Sequence, residues 1–81
     1  MAGRKGFLTR RLLANNVRRL RDARGMNQET LADSAHLDQS QISKIENAKL
    51  NVRLDVLQRL AVALGARVAE LFDEEDRRSK R

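Results

Sequence analysis

The sequence has no cysteine, no proline, no tryptophan and no tyrosine, and its only aromatic residues are Phe7 and Phe72. Without cysteine there is no disulfide, no thiolate metal site and no thiol nucleophile. A single histidine, His36, cannot by itself form a catalytic dyad or a metal site. There is also no glycine-rich phosphate loop, and no clustered carboxylate pair outside an acidic stretch near the C-terminal end. No catalytic residue, cofactor or metal is therefore expected, and the chain does not read as an enzyme. Two aromatics are too few for the stacking platforms that hold single-stranded nucleic acid. No apolar run reaches the length of a membrane span or resembles a signal-peptide core, which makes a cytoplasmic address the expectation. The 81 residues have room for one small core and no separate effector domain.

What the chain has in excess is positive charge: seventeen Lys and Arg against eleven Asp and Glu, a formal net charge of +6. That balance favours a polyanionic partner, and the shortage of aromatics favours duplex DNA over a single strand. No alternating strand pattern occurs, and the apolar residues recur at helical spacing. Residues 1–10, with Gly3 and Gly6 among Arg4, Lys5 and Arg10, show no sustained period. They read as a flexible basic arm that either reaches the DNA, with Arg11 beside it, or serves as a solubilising tail. From about Arg11 to Arg24, Leu13, Val17 and Leu20 mark a first helix closed by Gly25. A second helix is expected from Gln28 to Ala35 behind an Asn27 cap, and a third from Gln39 to Asn47 behind Asp38, with Gln41 completing a capping box. Asn51 is a candidate cap for a fourth helix carrying Leu54, Leu57, Leu60, Ala61 and Leu64 and ending at Gly65. Val68, Leu71 and Phe72 mark a short fifth. The expected organisation is an arm (1–10), an all-α domain of five helices (11–73) and a charged tail (74–81), in which Asp73–Arg77, Glu74–Arg78 and Asp76–Lys80 stand at i, i+4.

The stretch NQETLADSAHLDQSQISKIEN, Asn27 to Asn47, is the most telling. Two short amphipathic helices joined by a tight turn put Leu31, Ala32, Ala35, Leu37, Ile42 and Ile45 on one side. Gln39, Ser40, Gln41, Ser43, Lys44 and Asn47 remain as short hydrogen-bonding groups on the other, the layout of a helix-turn-helix whose second helix enters a major groove. Gln39, Ser40, Gln41 and Lys44 are the candidate base contacts: Gln suits adenine N6 and N7, Lys suits guanine O6 and N7, and Ser pairs with several edges. Asn27, Gln28, Ser43, Asn47, Lys49, Asn51 and Arg53 are the candidate phosphate contacts, some of them beside the free N–H groups at the start of helix two. The bland alternative is a solvated polar helix face, against which the density of short amides and hydroxyls argues.

From about Val17 to Phe72 the sequence resembles the Xre/Cro/lambda-repressor-type helix-turn-helix family, through LRDARGMNQETLA, LDQSQISKIEN and LDVLQRLAVALG. The resemblance implies a compact five-helix lambda-repressor-like domain in which a Gln opening helix two and a Gln opening the recognition helix act together, here Gln28 and Gln39. It also implies a structural ion pair, Arg21 with Glu46. Helix geometry agrees, since Glu46 lies only about 40° around the wheel from Ile42. Two positions depart from the family pattern. His36 stands where the turn usually has glycine, and Asn51-Val52 stands where many relatives have Asn-Pro. Short controller proteins of restriction–modification systems resemble the version without proline.

The function implied is a homodimeric, sequence-specific transcriptional regulator, repressor or activator, of double-stranded DNA. It would read a palindromic operator with half-sites roughly 34 Å apart and would be a candidate for control of its own promoter. The dimer seam is expected at Val68, Leu71 and Phe72, extending to Val56 and Val62, unless Phe72 only closes the monomer core. A protein partner such as RNA polymerase or a toxin is compatible with this reading. The alternative function is an antitoxin-type module that binds a toxin as well as DNA.

Overall fold

The computed structural model describes residues 2–74, with side chains from residue 8 onward. Four α-helices, α1 (Ala2–Ala23), α2 (Gln28–Ala35), α3 (Gln39–Glu46) and α4 (Leu54–Leu64), are followed by a 3-10 turn, Val68–Phe72. No strand occurs among the described residues. Helix α2 packs on α3 and α4, while α1 crosses α3 and also meets the 3-10 turn. Leu13 and Val17 of α1, Leu31, Ala32 and Ala35 of α2, Ile42 and Ile45 of α3, and Leu57, Leu60, Ala61 and Leu64 of α4 meet in one core. These are the residues that the 3.6-residue period selects.

All four helices end in the same way. Gly25, His36, Ala48 and Gly65 each adopt a left-handed conformation, with φ of 68°, 59°, 60° and 66°. After each, the next N–H reaches back five residues: Met26 to Arg21 O, Leu37 to Ala32 O, Lys49 to Lys44 O and Ala66 to Ala61 O. This is the Schellman closure, which satisfies carbonyls that a helix end leaves orphaned. His36 therefore fills the turn position that glycine usually takes, and Ala48, which carries no sequence signal for positive φ, does the same after α3. A Cβ on Gly65 would lie 2.5 Å from Arg24 Nη2, the far end of an exposed side chain that can move aside, so positive φ is what favours glycine there.

Five expectations need correction. The stretch 1–10, read as an arm, is helical from Ala2 and continuous with α1; Gly3 and Gly6 weaken a helix but do not forbid one, and no proline intervenes. The fifth helix is only a 3-10 turn, because Asn16, buried in α1, shares its Nδ2 donors among Leu71 O (3.0 Å), Asp73 O (2.8 Å) and Leu12 O (3.1 Å). Those bonds turn the final carbonyls into the core and away from helical continuation. Asn51 does not cap α4, which starts at Leu54 behind Arg53. That start turns Leu54 outward, 83% exposed, and puts Val56 in the core instead. Finally, Leu71 is fully buried within the single chain, as is most of Val56, so neither offers surface for a dimer seam. Val68 and Phe72 are partly buried against the same core. The i, i+4 pairings of the charged tail fall mainly on residues outside those described.

Candidate nucleic-acid interface

Each element of the helix-turn-helix is fixed by local chemistry before tertiary packing acts. At the start of α2, Asn27 Oδ1 accepts from Thr30 N (2.8 Å) and from the Thr30 hydroxyl (2.9 Å). The remaining first-turn N–H groups, of Gln28 and Glu29, have no intrahelical acceptor and face outward with the positive end of the helix. At the start of α3 the Asp38 N–H donates to Gln41 Oε1 at 3.0 Å. The His36 carbonyl, between the two helices, accepts from Arg59 Nη1 at 3.1 Å. Arg59 is in turn bound to Asp55 Oδ2 at 3.2 Å, so α4 steadies the turn. That hydrogen bond from Arg59 holds the Asp55 carboxyl below its ordinary pKa, against desolvation and with help from the charge of Arg53.

Beneath the surface lies a charge cluster centred on Glu46, which is 1% exposed. Arg21 donates to it twice, Nε to Oε2 at 2.7 Å and Nη2 to Oε1 at 3.1 Å. Gln28 Nε2 donates to Oε1 at 3.1 Å, and Arg18 Nη2 to the Glu46 carbonyl at 2.9 Å. Arg21 Nη1 also donates to Met26 O at 2.8 Å. One guanidinium thus ties the end of α1, the approach to α2 and the end of α3. The Glu46 hydrogen bond raises the Arg21 pKa above its ordinary value, outweighing the opposing effect of burial. The sequence offers no direct signal for Arg18; its position one turn before Arg21 on the same helix is the only hint.

The candidate contact residues fall into two groups. Gln39, Ser40 and Lys44 are exposed on α3, and their side chains have no partner among the described residues. They lie on the face opposite Ile42 and Ile45, which are fully buried. Lys49, just past the helix, is likewise exposed and unpartnered among the described residues. The others have intramolecular work. Gln41 is half-buried and spends its carbonyl oxygen on the Asp38 cap, so it is tied into the start of α3 rather than free as a base reader. Gln28, expected beside Gln39, has one donor committed to Glu46. Asn47 Nδ2 donates to Ser43 O at 2.8 Å, Asn51 Oδ1 accepts from Arg10 Nη1 at 2.8 Å, and Arg53 Nε stands 3.5 Å from Asp55 Oδ1. Ser43 is half-buried beside them.

The arrangement is a rigid ledge. Three exposed polar side chains, Gln39, Ser40 and Lys44, stand on a helix whose back is closed by isoleucine and whose far end is held by a buried ion pair. Free N–H groups lie at one side, and Lys49 and the α3–α4 loop at the other. No helix among the described residues is long and apolar enough to cross a membrane.

Comparison with known proteins gives the same frame. A family model described as helix-turn-helix matches residues 17–71. The chain is 35% identical over 63 residues to a hypothetical transcription factor of Neisseria meningitidis; the match covers 78% of this chain and 59% of that protein, so the chain spans less than two thirds of the relative. It is 36% identical over 61 residues to the control protein C.MunI of a Mycoplasma species, covering 74% of this chain and 82% of the relative. Among solved structures, the restriction-modification controller protein C.AhdI of Aeromonas hydrophila superposes with a TM-score of 0.76 at 38% identity, over 78% of this chain and 96% of that one.

Proposed function

The chain belongs to the HTH_3 helix-turn-helix family of DNA-binding regulators, and we propose that it is a homodimeric transcriptional regulator of the controller type. It reads a palindromic operator by seating α3 in the major groove. The observation that carries this reading is the free row Gln39, Ser40 and Lys44 on a helix with a fully buried back. Unpaired hydrogen-bonding groups held in fixed directions are what direct base readout needs, and a bidentate contact contributes roughly 1–3 kcal/mol of discrimination. Gln39 and Ser40, near the start of the helix, lie deepest in the groove, and Lys44 reads one turn further on. The N–H groups at the start of α2, with Lys49 and Arg53, bind flanking phosphates and fix the register without reading sequence.

One such module covers half a site, so specificity comes from two copies on paired half-sites roughly 34 Å apart. The apolar surface available for that pairing is on α4, where Leu54 (83% exposed) and Val62 (69% exposed) flank exposed Gln58 in an i, i+4 row. The edges of Val68 and Phe72 extend it. Occupancy relative to a polymerase site then decides between repression and activation, and a site upstream of its own gene would make the regulator autoregulatory.

The test is selection of bound fragments from random duplex DNA, followed by footprinting of the selected site. A palindromic site protected by two chains is the expected result. Binding without sequence preference, or protection of a single half-site at saturation, would overturn the proposal.

A further inference from the structure

Two arginines of α1 are held by an asparagine: Arg19 Nη2 donates to Asn16 Oδ1 at 2.8 Å within the helix, whereas Arg10 reaches a different element. Arg18 and Arg21 face the Glu46 carboxylate, and on α4 and before it Arg59 and Arg53 face Asp55. Arg10 has no ion pair among the described residues, yet it is held: Nη1 donates to Asn51 Oδ1 at 2.8 Å, joining α1 to the α3–α4 loop across 41 positions of sequence. An arginine has donors only, so the acceptor must be the amide oxygen and the orientation of the Asn51 carboxamide is determined. Its NH2 group is thereby turned away from Arg10. The half-buried Arg10 stands at the rim of a groove of about 350 Å³ lined by Leu13, Leu50, Val52, Leu57 and Phe72. Apolar surroundings of this kind accommodate the aliphatic stem and leave the charged head outside.

We propose that Arg10 and Asn51 together form a phosphate seat, which makes α1 a third element of the DNA interface beside α2 and α3. This rests on the reading of α3 as the groove-entering helix. The loop that follows α3 runs alongside the duplex backbone, and Lys49 on it is exposed and unpartnered. Arg10 adds a charge that no carboxylate among the described residues neutralises, with four N–H donors left after the bond to Asn51. Asn51 adds an amide that can donate without leaving Arg10. The hydrogen bond removes much of the freedom that an exposed arginine would otherwise lose on binding, so the seat is organised before DNA arrives.

The experiment compares the full-length wild type with Arg10→Gln and Arg10→Ala on the selected operator, measuring affinity from 50 to 200 mM salt. Glutamine keeps a donor toward Asn51 while removing the charge, so it guards against a merely structural effect, and thermal melts of all three proteins are recorded. One lost phosphate contact lowers the salt slope by about 0.9, so the gap between wild type and variant should close by roughly 3.5-fold across that range. The footprint and base preferences should stay the same, because a phosphate contact reads no sequence. Unchanged salt slopes in both variants, with wild-type DNA binding intact, would overturn the phosphate seat and leave Arg10–Asn51 as a loop tether. A wild type that selects no site would overturn the proposed function itself, and this inference with it.

Discussion

Arg21→Ala is the perturbation whose outcome the structure constrains most tightly. It deletes both bonds to Glu46, at 2.7 and 3.1 Å, and the bond to Met26 O, and leaves a carboxylate that is 1% exposed. What remains near Glu46 is one Gln28 amide donor at 3.1 Å and the Arg18 Nε at 3.7 Å. Removing one member of a buried pair costs about 3–5 kcal/mol, because the other is left desolvated and uncompensated. A domain of this size has a total stability of about 4–12 kcal/mol at the usual value per residue. The loss is therefore about a quarter of the stability or more, and at about 4–8 °C per kcal/mol the melting temperature should fall by roughly 12–40 °C. Glu46→Gln should cost less, about 1–2 kcal/mol, because a neutral acceptor remains in place and Arg21 can still reach solvent and Met26. Replacing both residues by leucine should recover most of the loss. Urea unfolding followed by helical circular dichroism, at one fixed chain concentration, measures all four proteins, and equal m-values confirm that the same surface unfolds in each. If Arg21→Ala costs under about 1 kcal/mol, or Glu46→Gln costs more than Arg21→Ala, the reasoning from desolvation is wrong.

The other predictions are more local. Lys44→Ala and Gln39→Ala should each weaken operator binding by roughly 1–3 kcal/mol and relax preference at one base pair per half-site, with melting temperatures unchanged; competition against single-base variants of the site reads both effects. His36→Gly should stabilise the protein by up to about 1 kcal/mol by relieving positive φ, since His36 is exposed and its carbonyl bond to Arg59 survives. Ala48→Gly should gain less, because it gives up a buried Cβ; thermal melts compare the two. Asp55 has a folded-state pKa below its unfolded value, so its contribution is complete above the unfolded pKa, near 3.9, and is lost as pH falls through the lower folded value. Stabilities of wild type and Asp55→Asn should therefore differ at neutral pH and converge below about pH 4; a constant gap down to lower pH would contradict the assignment.

The local parts of this fold are written in local sequence. Asn27 followed by Thr30 specifies a cap, Gly25 and Gly65 specify helix ends, and the spacing of Leu31, Ala35, Ile42 and Ile45 specifies which faces meet. What could not be read from the sequence depends on long-range partners. Leu54 fits the apolar period of α4 but is exposed, while Val56 and Leu57 in the same first turn are buried in its place. Leu71 looked available to a partner because nothing in its neighbourhood announces Asn16, which lies 55 positions away and draws the chain inward at that point. Asn51 has the chemistry of a helix cap and is used by Arg10 instead. Within α3, residue type alone does not separate Gln39 from Gln41. Their difference is positional, since Gln41 is three residues past Asp38 and can fold back onto it.

The shared left-handed closure of the four helices has a consequence for how the molecule opens. Helices α1 and α4 close on glycine, while α2 and α3 close on His36 and Ala48. The two strained closures thus bracket α3, an eight-residue helix. Strain held at both ends of so short a segment lowers the free energy needed to release it without unfolding α1 or α4. Amide hydrogen exchange should show this as a gradient, with the α3 amides exchanging through sub-global opening while those of Val17 and Leu60 wait for global unfolding. Binding to an operator would then suppress exchange most strongly in α3. The glycine substitutions at 36 and 48 should do part of the same work without any DNA present.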